Sequence, residues 1–449
     1  MAGLRRNLIA NVYSTTAVVV GQIALVPLFL SSWGQIYYGQ WLVLSAVPAY
    51  LALSDVGISN ALGNQFSICV ERGEHVHAQD LMGAVWRFQT WFSLALTLLV
   101  GLAVATFPVQ SWLKCTAVGH GEFRTVLLLL TVYSLLPLQI GTFSGIYRAA
   151  HAFPKYLLLQ GHMRILELFG TTILLCSKAP MLWLAALLVV LRIIWLCIVN
   201  IQARRLLPDL ALNWGAGTWT NFSSLLPIGA GFFAFPIGNA LINQGMTLAV
   251  NNAGGPGAVV TLSVCRQVGR IYLQISSILF TSLHPELTTA YAQLARGRMQ
   301  SLQAGAFLLS LWVGTLFSIG AFVLGGVVVQ IWTGMGSIAG TLVGVFAIEA
   351  VTAALGNLAL VVPWATSRLG SLPFVYLIAQ LMSLIVSWTA FPYLGIGAVG
   401  VAFLLGNLAF TVIALSRSFD ELECSLRDFM DSGQRSLRDT AAALYSRFS

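Results

Sequence analysis

Charge is what this sequence has least of: 8% of its 449 residues are Asp, Glu, Lys or Arg, against roughly 25% in a soluble domain. So few ionic side chains cannot cover a water-facing surface of this size, and a large soluble catalytic domain is excluded. Lysine is nearly missing, three residues against 20 arginines. The six cysteines, at 69, 115, 176, 197, 265 and 424, never adopt a C-x-x-C spacing, which argues against a metal centre or a disulfide framework. They read as small core residues. No G-x-x-x-x-G-K-[ST] phosphate loop and no H-E-x-x-H zinc motif occurs. The chain therefore reads as no enzyme and as needing no cofactor beyond a coupling ion, Na⁺ or H⁺. A basic run is absent as well, so the formal charge of +8 does not point to nucleic acid.

What fills the chain is apolar sequence: 57% hydrophobic residues and a mean hydropathy of +0.83. A spanning helix needs about 20 apolar residues. Stretches of that kind fall at 7–31, 38–62, 84–107, 123–147, 156–177 and 181–203, then at 221–250, 258–283, 301–325, 338–362, 371–392 and 397–416. The expected fold is an all-α polytopic membrane protein with about 12 transmembrane helices in two six-helix lobes. Arg5 and Arg6 precede an apolar run too long for a signal-peptide core, so the first run reads as a retained span.

Orientation follows from the basic residues. With the N-terminus inside, fifteen of them lie on inner segments: Arg5, Arg6, Arg72, Arg148, Lys155, Arg204, Arg205, Arg296, Arg298, Arg368 and five arginines of the tail. Lys114 and Lys178 lie outside. Both termini are thus expected in the cytoplasm. Trp33, Tyr37, Tyr38, Trp112, Trp332 and Tyr393 stand near span ends, as interfacial anchors do.

Two sets of six spans imply two halves of equal orientation, the parallel repeat of some transporters. Arg72-Gly73 and Arg296-Gly297 follow the second and eighth spans as a weak internal match. The expected division is an N-terminal lobe at 1–205, a cytoplasmic linker at 206–220, a C-terminal lobe at 221–416 and a cytoplasmic tail at 417–449. In the tail, Phe419, Leu422, Leu426 and Phe429, then Leu437, Ala441, Leu444 and Phe448 beyond Gly433, predict a pair of amphipathic helices. Such helices lie on a membrane surface or hold a partner.

Charges inside spans are costly and face a cavity or a partner. Here they are Asp55, Arg164, Glu167, Arg192, Arg266, Arg270 and Glu349, with Arg87 and Arg124 opening the third and fourth spans. Arg266 and Arg270 are four apart and project from one helix face, where a diphosphate would satisfy both planar guanidinium groups. They could instead snorkel, or pair with Glu349 or Asp55. Arg164 and Glu167, three apart, can pair within their own helix, whereas Arg192 has no acid in its helix. The six arginines 87, 124, 164, 192, 266 and 270 outnumber the acids 55, 167 and 349, a balance that favours anionic cargo. Asp55, Glu167 and Glu349 are candidates for ion coupling. The seventh span carries Pro227, Pro236, Gly229, Gly231 and Gly238, which weaken a helix, and broken helices mark transport pathways. Its Asn239, Asn243 and Gln244 could bind sugar hydroxyls or bond helix to helix.

The segment from Tyr37 to Gln65, with Gly39, Trp41 and the run Asp55-Val56-Gly57-Ile58-Ser59, and the Pro285-Glu286 pair near the end of the eighth span resemble the bacterial polysaccharide-transporter family. These are lipid-linked oligosaccharide flippases of the O-antigen type, within the multidrug/oligosaccharidyl-lipid/polysaccharide exporter superfamily. The likeness runs to about residue 416. It implies a V-shaped pair of lobes in the bacterial inner membrane, moving undecaprenyl-diphosphate-linked repeat units between leaflets by alternating access. It also implies a cationic cavity, for which Arg164, Arg192, Arg266 and Arg270 are the positions of suitable character and depth. The lipid-II branch usually adds two C-terminal spans, where this chain has a charged tail. A multidrug/cation antiporter shares the twelve-helix plan, and a polysaccharide polymerase would need a longer outer loop than residues 108–122 provide.

The topology is open to direct test. A fluorescent protein fused after Ser449 is expected to fold and fluoresce, and alkaline phosphatase inserted after Lys178 to be active, whereas the reverse pattern would invert every loop.

Overall fold

The computed structural model describes residues 2–51, 58–150, 152–208, 215–225, 234–336, 338–366 and 368–448. Among them no strand occurs. The helices are α1 Ala2–Leu51, α2 Ile58–Glu71, α3 His75–Thr106, α4 Val109–Trp112, α5 His120–Thr142, α6 Ser144–Ala149, α7 Phe153–Cys176 and α8 Met181–Leu206. After α9 Trp219–Ser223 and α10 Ala234–Ala240 comes a π-helical turn, Leu241–Gly245. The chain continues as α11 Met246–Ala292, α12 Arg296–Thr333, α13 Gly340–Ala365, α14 Leu372–Leu394, α15 Ile396–Leu422 and α16 Leu426–Phe448. Where it is described, every apolar run of the sequence falls mainly on one or more of these helices, and eight helical stretches among the described residues are long and apolar enough to cross a membrane.

The helices outrun the apolar runs. The third begins at His75 rather than 84, and the ninth covers Arg296–Thr333 rather than 301–325. Hydropathy marks the part of a helix that lies in hydrocarbon, and the hydrogen-bond ladder goes on into polar sequence beyond it.

Two compact units emerge, Met1–Val260 and Thr261–Ser449. The connector is tied into the first unit: an Arg87 N–H on α3 donates to the Ala216 carbonyl at 2.9 Å and another to Gly217. The Gly217 N–H in turn donates to Asp80 Oδ1 at 3.0 Å. Arg87 is therefore a fastener of the connector and not, as its position at a span entrance suggested, part of a cationic pathway.

The internal repeat lies in the turns. Gly34 inside α1 and Gly255 inside α11 each kink the helix at a single residue of positive φ, and they are 221 residues apart. Gly73 and Leu294 close the next turns at the same interval, followed by Lys114 with Gly334 and Lys178 with Gly395 at intervals of 220 and 217. The Arg-Gly match noticed in the sequence is out of step with this register, since Gly73 forms a turn and Gly297 lies within α12.

At the first turn, Phe29, Trp33, Tyr37, Tyr38 and Trp41 stack on one another with ring centroids 4.8–6.4 Å apart. Trp33 Nε1 donates to the Ala179 carbonyl at 2.9 Å, and the Tyr37 hydroxyl donates to Glu122 at 3.2 Å. Three expected belt residues thus knit span ends together, while Trp112 and Tyr393, 61% and 86% exposed, retain the belt position. Gly39 packs against this turn's counterpart: a Cβ there would stand 2.2 Å from the Pro256 carbonyl oxygen.

The tail breaks at Glu423 and not at Gly433: its first residues end α15, and Leu426–Phe448 form a single helix. Ser425 caps α16 by exchanging hydrogen bonds with Asp428, which hold the Asp428 carboxyl below the ordinary carboxylate range. Gly433 is no hinge but a contact point, because a Cβ there would meet Leu308 at 2.6 Å and the Ala304 carbonyl at 2.9 Å on α12. Phe429 packs on Phe307 and Phe419. The amphipathic face predicted for a membrane surface or a partner is thus laid, at these residues, on the protein's own ninth span.

Gly39→Val is expected to destabilise the protein by about 3 kcal/mol through overpacking, read as a lower melting temperature of the purified full chain in detergent. Gly297→Val, at a position where a Cβ meets nothing within 4 Å, is the control and should change little.

Candidate functional site

Among the described residues each unit contains a group of charges at mid-span, and the two differ in balance. In the first unit, Glu167 on α7 meets Arg192 on α8, with Nε and Oε1 at 3.1 Å. The pair is 9% and 6% exposed. The guanidinium also donates to the Tyr133 hydroxyl at 2.9 Å and lies 4.7 Å from the Tyr133 ring centre and 5.1 Å from that of Trp195. Glu167 thus bonds the neighbouring helix, a choice that spacing along α7 could not reveal. Arg164, half-buried one turn away, adds its field to the same carboxylate. The arrangement is a sealed ion pair walled by aromatic rings.

The second unit gathers Arg266 and Arg270 of α11, Glu349 of α13, Tyr376 and Gln380 of α14, and Asn407 of α15. Asn407 Nδ2 donates to Glu349 Oε1 at 2.8 Å, and Gln380 Nε2 donates to Asn407 Oδ1 at 2.9 Å. Both arginines act electrostatically on Glu349, and so does Glu349 on Tyr376. The reason is a backbone contact. Gly269, between the two arginines, would place a Cβ 2.8 Å from that of Ala350 and 2.9 Å from the Phe346 carbonyl oxygen. With no side chain there, α11 lies directly on the turn of α13 that carries Glu349.

Helix rise puts Arg266, Glu349 and Asn407 at similar distances from the starts of their helical segments. Arg266 follows the Gly255 turn by eleven residues, Glu349 follows Gly340 by nine and Asn407 follows Ile396 by eleven, distances of ~14–17 Å at 1.5 Å per residue. That is about half of a 30 Å hydrocarbon core. Arg270 lies one turn of α11 beyond Arg266, and guanidinium groups so spaced offer planar forks of the kind that match an anion's oxygens. Asn407 and Gln380, 2% and 0% exposed, were not singled out from the sequence. Their signal was present: each is a single amide in an otherwise apolar turn, LLGNLAF and LIAQLMS.

Asn243 and Gln244 lie in the π-helical turn, and Asn239 just before it. Asn243 Nδ2 donates to the Asn239 carbonyl at 2.8 Å and Thr247 Oγ1 to the Asn243 carbonyl at 2.8 Å. π-Turns interrupt helices often at functional positions. The irregularity expected of the seventh span is present at this turn, while Pro227, Gly229, Gly231 and also Asp55 lie outside the described residues. Arg124 is exposed at the start of α5.

No family model and no curated protein matches the chain. Solved structures do. An inward-facing multidrug resistance MATE family transporter of the MOP superfamily is similar with a TM-score of 0.70 at 11% identity, over 92% of this chain and 94% of that one. The lipid II flippase MurJ in an inward closed conformation follows with 0.68 at 13%, over 99% and 93%. The Vibrio cholerae MATE transporter VcmN in its bent form gives 0.61 at 13%, over 98% of both chains.

Breaking the ion pair of the first unit is expected to be costly. Arg192→Met strands a buried carboxylate and should destabilise by about 3–5 kcal/mol, and the double variant Glu167→Leu, Arg192→Met should regain most of that loss in a thermal unfolding cycle. The fold these residues belong to is that of the MOP-superfamily transporters.

Proposed function

We propose that the chain is a flippase that moves undecaprenyl-diphosphate-linked oligosaccharide repeat units from the cytoplasmic to the periplasmic leaflet of the bacterial inner membrane, by alternating access, for surface polysaccharides such as O-antigen or exopolysaccharide. The observation that carries this reading is the mid-depth group in the second unit. Arg266 and Arg270 stand on one face of α11, within the electrostatic reach of Glu349 on α13. Planar guanidinium forks fit diphosphate oxygens, and a surplus of positive charge in a low-dielectric setting selects an anion. Asn239, Asn243 and Gln244 would face the sugars, and Arg164 would add positive potential. Arg192, held by Glu167 and Tyr133, would act on the pathway only through its field. Residues 1–205 and 221–416 serve as the two transporting halves in this reading, with both termini cytoplasmic. Membrane lipids surround the protein, and polysaccharide polymerase or assembly proteins would take over the product. The lipid II flippase among the similar structures supports a lipid-linked cargo.

A multidrug/cation antiporter is the second reading, favoured by the multidrug transporters that share the fold. It would use Asp55, Glu167 or Glu349 to exchange Na⁺ or H⁺ for a lipophilic cation. The charge balance around Glu349 runs against a cationic cargo.

Deleting the gene should leave complete lipid-linked repeat units on the cytoplasmic leaflet and remove surface polysaccharide. Wild-type protein should restore export, and Arg266→Gln, Arg270→Gln should export at least ~10-fold less while reaching the membrane in normal amount. Normal lipid-linked sugar together with sensitivity to cationic drugs would overturn the flippase in favour of the antiporter.

A further inference from the structure

The interval of 221 residues between Gly34 and Gly255 pairs residues 246–260 with 25–39. The kink of α11 therefore joins the first two spans of the second set as the kink of α1 joins the first two of the first set. Yet the compact first unit runs to Val260, and its boundary falls inside α11. Hydrogen bonds hold this segment there. Asn251 Nδ2 donates to the Leu113 carbonyl at 2.7 Å, and Lys114 Nζ donates to the Asn252 carbonyl. Gln35 Nε2 donates to the Gly257 carbonyl at 3.0 Å, two residues past the kink. Gly39 has no side chain to hold the Pro256 carbonyl oxygen away. The loop after α4 is itself braced, because Gln110 Nε2 donates to the Cys115 and Val118 carbonyls at 2.8 and 2.7 Å. The Ala117 N–H of the same loop donates to Gln40 Oε1 at 3.2 Å.

Resting on the flippase reading, we infer that these bonds form a clasp that shuts the outer end of the transport pathway and opens once per cycle. Under alternating access the two sets of spans part at one end while they meet at the other. The clasp ties residues 35–39 and 113–114 of the first set to 251–257 of the second. It lies at the end that Lys114 and Lys178 assign to the outside. Its chemistry is that of a contact made and broken repeatedly. Each of the three cross-connections is one side-chain donor on one backbone carbonyl, which water replaces at small net cost. None of the three uses a carboxylate, so opening separates no buried ion pair. The amides are moreover only half used. Gln40 Nε2 and Asn251 Oδ1 are buried without a hydrogen-bond partner among the described residues, and an opening that admits water satisfies both.

Two measurements on the full chain in vesicles, with its six native cysteines replaced by alanine, test this. In the first, spin labels on Thr116→Cys and Ala253→Cys, both exposed positions beside the clasp, report the distance across it. The ratio of long to short distances is expected to rise at least ~5-fold in Lys114→Met, Asn251→Leu, which lacks two of the three cross-connections. Lys114→Met alone, at an exposed position, should shift it about 2-fold the same way should the double variant not fold. An unchanged distance distribution would overturn the inference. In the second, Lys114→Cys and Asn252→Cys are bridged by a short bifunctional thiol reagent that carries a cleavable disulfide. Net flipping of a labelled polyprenyl-diphosphoryl sugar should fall at least ~10-fold on bridging and return on cleavage. Normal flipping by the bridged chain would overturn the inference, because the outer ends would then never need to part. A wild-type chain that moves no probe would instead overturn the flippase reading, and the spin-label distances would still decide whether the clasp opens.

Discussion

Helices in hydrocarbon gain little by hiding apolar surface, so the closeness of their backbones decides how they hold together. This chain uses several of its 42 glycines for that purpose. Gly39 rests on the Pro256 carbonyl, Gly269 on Phe346 and Ala350, Gly356 on Thr411, Gly406 on Ser383 and Gly433 on Leu308 and the Ala304 carbonyl. Each contact brings a chosen turn of one helix onto a chosen turn of another. The polar groups that follow are then matched in depth: Glu349 with Asn407, Gln303 with Ser418, Thr411 with the Thr352 carbonyl.

Charge is handled in opposite ways in the two units. The first unit closes Arg192 inside Glu167, Tyr133 and Trp195, a group whose attractions are spent on one another. The second unit sets Arg266 and Arg270 within the electrostatic reach of Glu349, whose carboxylate accepts from the Asn407 amide. The repeat visible in the turns, from Gly34 with Gly255 to Lys178 with Gly395, does not extend to these charges. The halves share a backbone plan, and the chemistry was placed on it separately.

Much of this was legible beforehand. A run of about 20 apolar residues has few alternatives to a spanning helix, and the described parts of the twelve runs lie mainly on helices. The pairing of Arg266 with Arg270 on one face needed nothing beyond the helical period. The Glu167 partner was not legible, because a spacing of three offers Arg164 and says nothing of α8. Arg87 looked like a pathway residue because its connector contacts, Ala216 and Gly217, are 129 and 130 residues away. The tail's periodicity showed an apolar face but not its seat, which Gly433 and Gly305 supply by letting α16 settle on α12.

By itself the amino-acid order determined that the protein is built of membrane-spanning helices, which spans carry charge and at what depth, because burial of apolar surface and the 1.5 Å rise are local properties of the chain. Tertiary structure alone decided which charge meets which. Whether a guanidinium in hydrocarbon faces a carboxylate, a tyrosine or a backbone carbonyl depends on which helix turns touch, and at Gly269 that was settled by the absence of a side chain.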